Sequence, residues 1–152
     1  MRKRDIDPNG RIIMTAQNPN PPNVSVEMLN IIYGAVDVGV NTCKGEGHGL
    51  VNHEHAACRR AQVVPDHTSL SEIFDGACPK IKKQLVDVDL NYNRRMPIPS
   101  AEDLSTILGQ FYEDRALLDS VADSCYERAT DPMYQWDNIA PQFEEIFEEA
   151  LV

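Results

Sequence analysis

Soft metal ligands are concentrated in one stretch of the chain, NTCKGEGHGLVNHEHAACRR, which runs from Asn41 to Arg60. Thiolate and imidazole are the ligands that tetrahedral zinc prefers, and four of them would close a structural site. The glycines in this stretch would let the backbone fold around an ion. The sequence therefore predicts a candidate zinc site with five potential ligands: Cys43, His48, His53, His55 and Cys58.

The spacing of these ligands does not match a known zinc pattern. Zinc fingers and ribbons use cysteine pairs a few residues apart, whereas Cys43 and Cys58 are 15 residues apart. The alternative is a polar loop whose histidines bond to backbone and solvent, with one cysteine buried as a small apolar group. The segment GEGHG also lacks the ending of a phosphate-binding P-loop and the spacing of a dinucleotide turn.

Catalytic chemistry has weaker support in the sequence. We find no hydrolase or kinase motif, so we predict no catalytic residue and no organic cofactor. Cys43, Cys58 or Cys78 could still pair with a histidine as nucleophile and base, because such pairs form in space and not in sequence. A cysteine-dependent enzyme would be recognised by one unusually reactive thiol.

Acidic residues dominate the C-terminal third of the chain. Residues 101–152 contain 13 acidic residues and two arginines, a net charge of −11, whereas residues 1–100 are nearly balanced. Phosphate would be repelled by that third, so we do not expect direct nucleic-acid binding. The short basic cluster Arg2–Arg4 is interpreted as a solvated start of the chain.

The end of the chain also carries a candidate interaction surface. A row of glutamates would steer a basic partner toward it, and Trp and Tyr are favoured anchors of protein interfaces. The alternative is an ordinary amphipathic helix that closes the core. The candidate interaction residues are Met133, Tyr134, Trp136, Glu144, Glu145, Glu148 and Glu149.

Several helices are predicted from caps and apolar spacing. Ser25 would cap a helix through VEMLNIIYGAVDVG, and Thr68 or Ser69 would cap a second helix. Ser100 would begin one long helix ending near Ala129, and Pro141 suits the first turn of the last helix. Residues 86–92 alternate between apolar and polar types, which leaves strand and helix both open.

The chain length and the positions of its prolines lead to a prediction of the fold. A chain of 152 residues points to one domain, and the prolines of QNPNPPN exclude regular structure there. We predict a mainly α fold: an extended proline-rich arm over residues 1–24, then a single helical domain over residues 25–152. A linker near residues 93–100 completes the prediction, together with one short β-element if residues 86–92 form a strand and not a helix.

The predicted function follows from what the sequence lacks. No apolar run fits a secretory signal or a membrane helix, so we expect a cytoplasmic protein with no membrane partner. An arm with little core of its own would be held by a neighbouring subunit. We therefore expect a non-enzymatic structural or accessory subunit of a homo- or hetero-oligomeric assembly. A viral or phage connector, scaffold or minor capsid protein, in host cytoplasm or virion, is one such case. The alternative is a zinc-stabilised regulatory or adaptor domain built on residues 43–58.

Overall fold

The computed structural model describes residues 24–91 and 93–151. Apart from Val24, the predicted N-terminal arm lies outside these residues. The described chain contains these elements in order: α1 Val26–Gly34, β1 Val38–Val40, α2 Leu50–Ala57, β2 Ala61–Pro65, α3 Thr68–Ile73, β3 Lys80–Ile81, β4 Lys83–Asp89, β5 Arg94–Pro99, α4 Ala101–Glu113, α5 Arg115–Ala129, a 3-10 turn Pro132–Tyr134, and α6 Trp136–Ala150.

The prediction of a mainly helical domain is wrong, because the fold mixes helices with two small sheets. β1, β2 and β3 form a parallel sheet in that order, and β4 pairs with β5 in an antiparallel hairpin. α2 connects β1 to β2, and α3 connects β2 to β3. Parallel strands need such crossover connections, so the first half of the domain consists of two β-α-β units.

Strand pairing also corrects the local predictions. The helix predicted from Val26 to Gly39 ends at Gly34, and residues 38–40 pair with 61–63 of β2. Residues 86–89 belong to strand β4, and the predicted linker contains strand β5. The spacing of apolar residues predicted that the helix continues into β1. Pairing with a distant strand satisfies the backbone N–H and C=O groups of these three residues as well as a helix would.

The helices of the second half differ from the prediction at their boundaries. The long helix is broken at Asp114, whose backbone is extended and whose carboxylate accepts a hydrogen bond from Leu117 N–H at 2.9 Å. Asp114 therefore caps α5 and separates it from α4. The last helix begins at Trp136, so Pro141 lies inside it and not in its first turn. Of the helices described, none is long and apolar enough to cross a membrane.

The core is organised around β2, which is buried along its whole length. Successive strand side chains point to opposite faces, and Val63 and Val64 accordingly belong to different apolar clusters. The cluster on the Val63 side comprises Ala61, Val63, Ile81, Ile107, Phe111 and Leu118. The cluster on the Val64 side comprises Ala56, Val64, Leu70, Phe74, Ala77, Cys125 and Ala129. The central strand is thus covered on both faces, as a parallel sheet requires.

Candidate ligand site at the carboxyl edge of the parallel sheet

Three connections meet at one edge of the parallel sheet. Residues 41–49 follow β1, Asp66 and His67 follow β2, and Lys82 follows β3. The carboxyl ends of parallel strands lie at the same edge, and open α/β sheets bind their ligands outside that edge. The glycine-rich loop that the sequence singled out as a zinc site therefore lies where this fold favours a ligand.

Asn41 fastens the start of this loop to the sheet and to α2. Its backbone N–H donates to the carbonyl of Val63 at 3.0 Å. Its side-chain oxygen accepts from Cys43 N–H at 2.8 Å, and its side-chain nitrogen donates to Asn52 Oδ1 at 2.8 Å. One side chain thus fixes the turn away from β1 and the position of the following helix.

The second half of the loop is fastened to α3. The N–H of Glu46 donates to Thr68 Oγ1 at 3.3 Å, and the Ser69 hydroxyl donates to the carbonyl of Glu46 at 3.0 Å. Gly49 follows, buried and in the left-handed region with φ of +82°. A Cβ at this position would lie 2.3 Å from Leu70 Cδ2. Both the backbone conformation and the available space therefore require glycine where α2 begins.

The start of α2 faces a small cavity. Gly49 is its N-cap and provides no side-chain bond, so the N–H groups of Leu50 and Val51 have no partner within the helix. The cavity has a volume of about 290 Å³ and is lined by Asn41, Glu46, His48, Gly49, Leu50 and Val51. Unpaired N–H groups attract anions, and a carboxylate such as that of Glu46 accepts hydrogen bonds from hydroxyl groups.

A second cavity of about 290 Å³ borders the same loop, and its lining is basic. Lys44 and Arg94 form ion pairs with Asp87 at 2.8 Å and with Asp89 at 3.3 Å. Arg95 lines the cavity as well. Because Asp87 and Asp89 offset the charges of Lys44 and Arg94, this lining adds little net positive charge beside the loop.

Buried hydrogen bonds between polar side chains connect α2 to β2 next to the site. Asn52 donates to Gln62 Oε1 at 2.9 Å, and Gln62 donates to the carbonyl of Arg60 at 3.0 Å. Gln62 is fully buried, and a Cβ on Gly39 would lie 2.3 Å from its Oε1. Neither Asn52 nor Gln62 was predicted from the sequence. The one signal was a glutamine inside the apolar run AQVVP, since a buried polar side chain needs a partner.

The five predicted zinc ligands are distributed over different surroundings. His53 and His55 are two residues apart in α2, which turns them by about 200° from each other. His55 stacks on Tyr33 with ring centroids 5.1 Å apart, and its Nε2 lies 3.2 Å from the carbonyl of Tyr33. His53 lies instead beside His48 and Tyr134, with centroids 5.3 Å and 4.9 Å away. Burial lowers the pKa of both His53 and His55.

The two cysteines lie apart from that histidine pair. The Cys58 thiol donates to Asn30 Oδ1 at 3.2 Å, and Cys43 packs against the apolar cluster around Val64. Burial raises the pKa of the Cys43 thiol. Within residues 24–91 and 93–151, no three or more His, Cys, Asp or Glu side chains are placed to hold a metal ion together. The zinc site stays a prediction, and occupying it would require the loop and α2 to rearrange.

Another thiol pair lies in the interior. A hydrogen bond with Cys125 and burial raise the pKa of the Cys78 thiol. Cys125 is fully buried and also contacts the carbonyl of Ala77 at 3.7 Å. Thiol nucleophiles need a lowered pKa and access to substrate, so the activity of a cysteine enzyme stays a prediction that this pair does not support.

The predicted interaction residues lie on the 3-10 turn Pro132–Tyr134 and on α6. Tyr134 contacts His53 edge-on, which joins this region to the rim of the candidate site. Met133 and Trp136 are exposed by 58% and 76%. The four glutamates of the prediction are all exposed on α6.

The sequence matches no model of a known protein family, and it matches no curated protein. Function is therefore inferred from the geometry of the site alone.

Proposed function

We propose that this chain binds a small molecule carrying both a phosphate group and hydroxyl groups, at the carboxyl edge of its parallel sheet. The observation that supports the proposal most is the cavity of about 290 Å³ onto which the start of α2 opens. The loop around it is fastened to β2, α2 and α3 by hydrogen bonds. A site held in this way loses little conformational freedom when a ligand binds.

The lining of the cavity suggests the chemistry of the ligand. The N–H groups of Leu50 and Val51 would receive the phosphate, because the helix dipole and the unpaired donors both favour negative charge. Glu46 would repel that phosphate, so we place hydroxyl groups of the ligand at its carboxylate. The volume lies at the lower limit of about 300–1,000 Å³ for small-molecule sites, which suits a ligand the size of a sugar phosphate.

Calorimetric titration tests this proposal with three probes: inorganic phosphate, a hexose phosphate and the same hexose without phosphate. We expect the hexose phosphate to bind more tightly than either fragment. Glu46→Gln should weaken hexose phosphate binding by about tenfold, since the amide oxygen would still accept a hydrogen bond, but one of about 0.5–1.5 kcal/mol in place of about 1.5–3 kcal/mol for the charged carboxylate. It should not weaken the binding of inorganic phosphate.

Glu72→Gln is the matched control, because Glu72 is exposed on α3 and does not line the cavity. It should leave all three titrations unchanged. The proposal fails if the hexose phosphate binds no better than inorganic phosphate, or if the two variants lose affinity equally.

The assembly role expected from the sequence is a second candidate, favoured by apolar side chains that the described residues leave exposed. Ile31 on α1, Leu90 after β4 and Phe147 on α6 are each more than half exposed. Exposed apolar patches mark interaction surfaces. One face of α6 carries such a patch, formed by the exposed side chains of Trp136, Phe143, Ile146 and Phe147. Sedimentation velocity tests self-assembly: a defined oligomer supports it, and a monomer at every concentration excludes a homo-oligomer. The viral setting and the cytoplasmic compartment stay predictions from the sequence.

A further inference from the structure

α6 has an apolar stripe flanked on both sides by glutamates. Residues advance by about 100° around a helix, which gathers the apolar side chains of Trp136, Ile139, Ala140, Phe143, Ile146, Phe147 and Ala150 within about a third of its circumference. The same spacing places Glu144 and Glu148 beside one border of the stripe and Glu149 beside the other.

The other described elements do not bury this stripe. Among the described elements, only the 3-10 turn before it packs extensively against α6. Phe143 and Phe147 contact each other, with ring centroids 6.3 Å apart, yet they are exposed by 51% and 62%. An amphipathic helix normally owes its stability to burial of its apolar face, so a partner is needed to cover it.

We infer that α6 docks a helix of another protein whose apolar stripe is flanked by lysine or arginine on both sides. The inference deepens the assembly candidate and is independent of the ligand site. Charge complementarity selects this occupant: α6 contains five acidic residues, Asp137 and four glutamates, and no lysine or arginine. Two copies of α6 placed face to face would bring these acidic borders together, which disfavours a second copy of this chain. Fifteen residues give a docking length of about 22 Å, or four turns.

Trp136 provides the readout, because it is the single tryptophan of the chain and lies on the stripe. The probe is a synthetic, tryptophan-free helical peptide of about 18 residues, long enough to form a helix, with a leucine stripe flanked by lysines. The control peptide has glutamates in place of these lysines. We expect the lysine peptide to shift the emission of Trp136 to shorter wavelength saturably, and the glutamate peptide to cause no shift.

Charge reversal on both borders makes the test specific. Glu148→Lys combined with Glu149→Lys should weaken binding of the lysine peptide by about tenfold, given the modest energy of each exposed ion pair. The same double variant should bind the glutamate peptide more tightly than the unmodified chain does. Glu113→Lys combined with Glu127→Lys is the matched control, since these residues are exposed on α4 and α5. It has the same net charge and should bind the lysine peptide as the unmodified chain does.

Each other outcome overturns the inference. Equal binding of the two peptides would mean that the stripe is recognised without regard to charge. Equal weakening by the two double variants would mean a response to net charge and not to the α6 borders. A blue shift of Trp136 that grows with protein concentration alone would identify a second copy as the occupant. Circular dichroism of both double variants serves to check that they stay folded. Sedimentation velocity tests the assembly candidate separately, because an oligomer could form through α1 or the hairpin while α6 fails to bind.

Discussion

Replacement of Gly49 by alanine tests the geometry on which the candidate site depends. Gly49 is the N-cap of α2, with φ of +82°, and a Cβ there would lie 2.3 Å from Leu70 Cδ2. The left-handed conformation costs an ordinary residue about 1–2 kcal/mol. Overfilling a well-packed site costs about 1–3 kcal/mol more. We therefore expect Gly49→Ala to lower the free energy of unfolding by about 2–5 kcal/mol, a large part of the total of a small domain.

Gly47→Ala is the matched control in the same loop. Gly47 does not adopt a positive φ, and a Cβ there meets no atom within 4 Å. Its replacement should be neutral or should stabilise the fold by up to about 1 kcal/mol, because alanine reduces the entropy of the unfolded chain. Urea unfolding followed by circular dichroism measures both variants against the unmodified chain.

Leu70→Ala separates the steric part of the Gly49 effect from the conformational part. Alone, it should cost about 2–5 kcal/mol through lost burial and the cavity left behind. Combined with Gly49→Ala, it removes the clash, so the double variant should lose less than the sum of the single losses by about 1–3 kcal/mol. Additive losses, or equal losses for Gly47→Ala and Gly49→Ala, would refute the assigned loop conformation.

Two further predictions concern the buried polar groups. Gln62→Leu removes the acceptor of the Asn52 side chain and should lower the free energy of unfolding in urea by about 1–3 kcal/mol. Gln110 is exposed on α4, so Gln110→Leu should change this free energy by less than about 0.5 kcal/mol. Similar losses of stability in the two variants would contradict the buried hydrogen bonds of Asn52 and Gln62. Burial lowers the pKa of three histidines below its ordinary value of 6.5: His53, His55 and His67. The unfolded chain therefore binds more protons than the folded one below pH 6.5, and the free energy of unfolding should fall as the pH is lowered from about 7.5 to about 5.5. His55→Gln should reduce this fall in the free energy of unfolding, as measured by urea titrations at both pH values. If the variant and the unmodified chain show the same fall, the burial of His55 is contradicted.

Local chemistry in the sequence predicted the starts of two helices correctly, whereas α3 is preceded by His67 and not by the predicted cap, Thr68 or Ser69. Ser25 and Ser100 both cap helices, accepting bonds from Met28 N–H at 3.3 Å and from Asp103 N–H at 3.2 Å. Such caps depend only on residues three positions apart. The strands of the parallel sheet could not be predicted in this way. β1 has three residues, and β2 is buried on both faces without any alternation of apolar and polar residues.

The loop that the sequence singled out lies at the edge of the sheet where we propose a ligand, but within the described residues its five predicted zinc ligands do not form one cluster. The glycine-rich loop lies at the carboxyl edge of the sheet only because β1 and β2 are parallel, and that pairing joins residues 23 positions apart, Val38 with Ala61. Once residues 50–57 are helical, helical geometry alone places His53 and His55 on opposite sides. The contribution of Asn52 and Gln62 depends on a contact between α2 and β2, which no local pattern encodes.

A phosphate-bearing ligand is proposed to bind where α2 begins. The most direct test of this binding site is a titration of the ¹⁵N-labelled chain with a hexose phosphate, followed by amide chemical shifts. We predict that the amides of Gly49, Leu50 and Val51 shift first and furthest, and that Glu46 shifts with them. Saturation with no change at these four amides, or with the largest changes on α6 or the hairpin, would contradict the account.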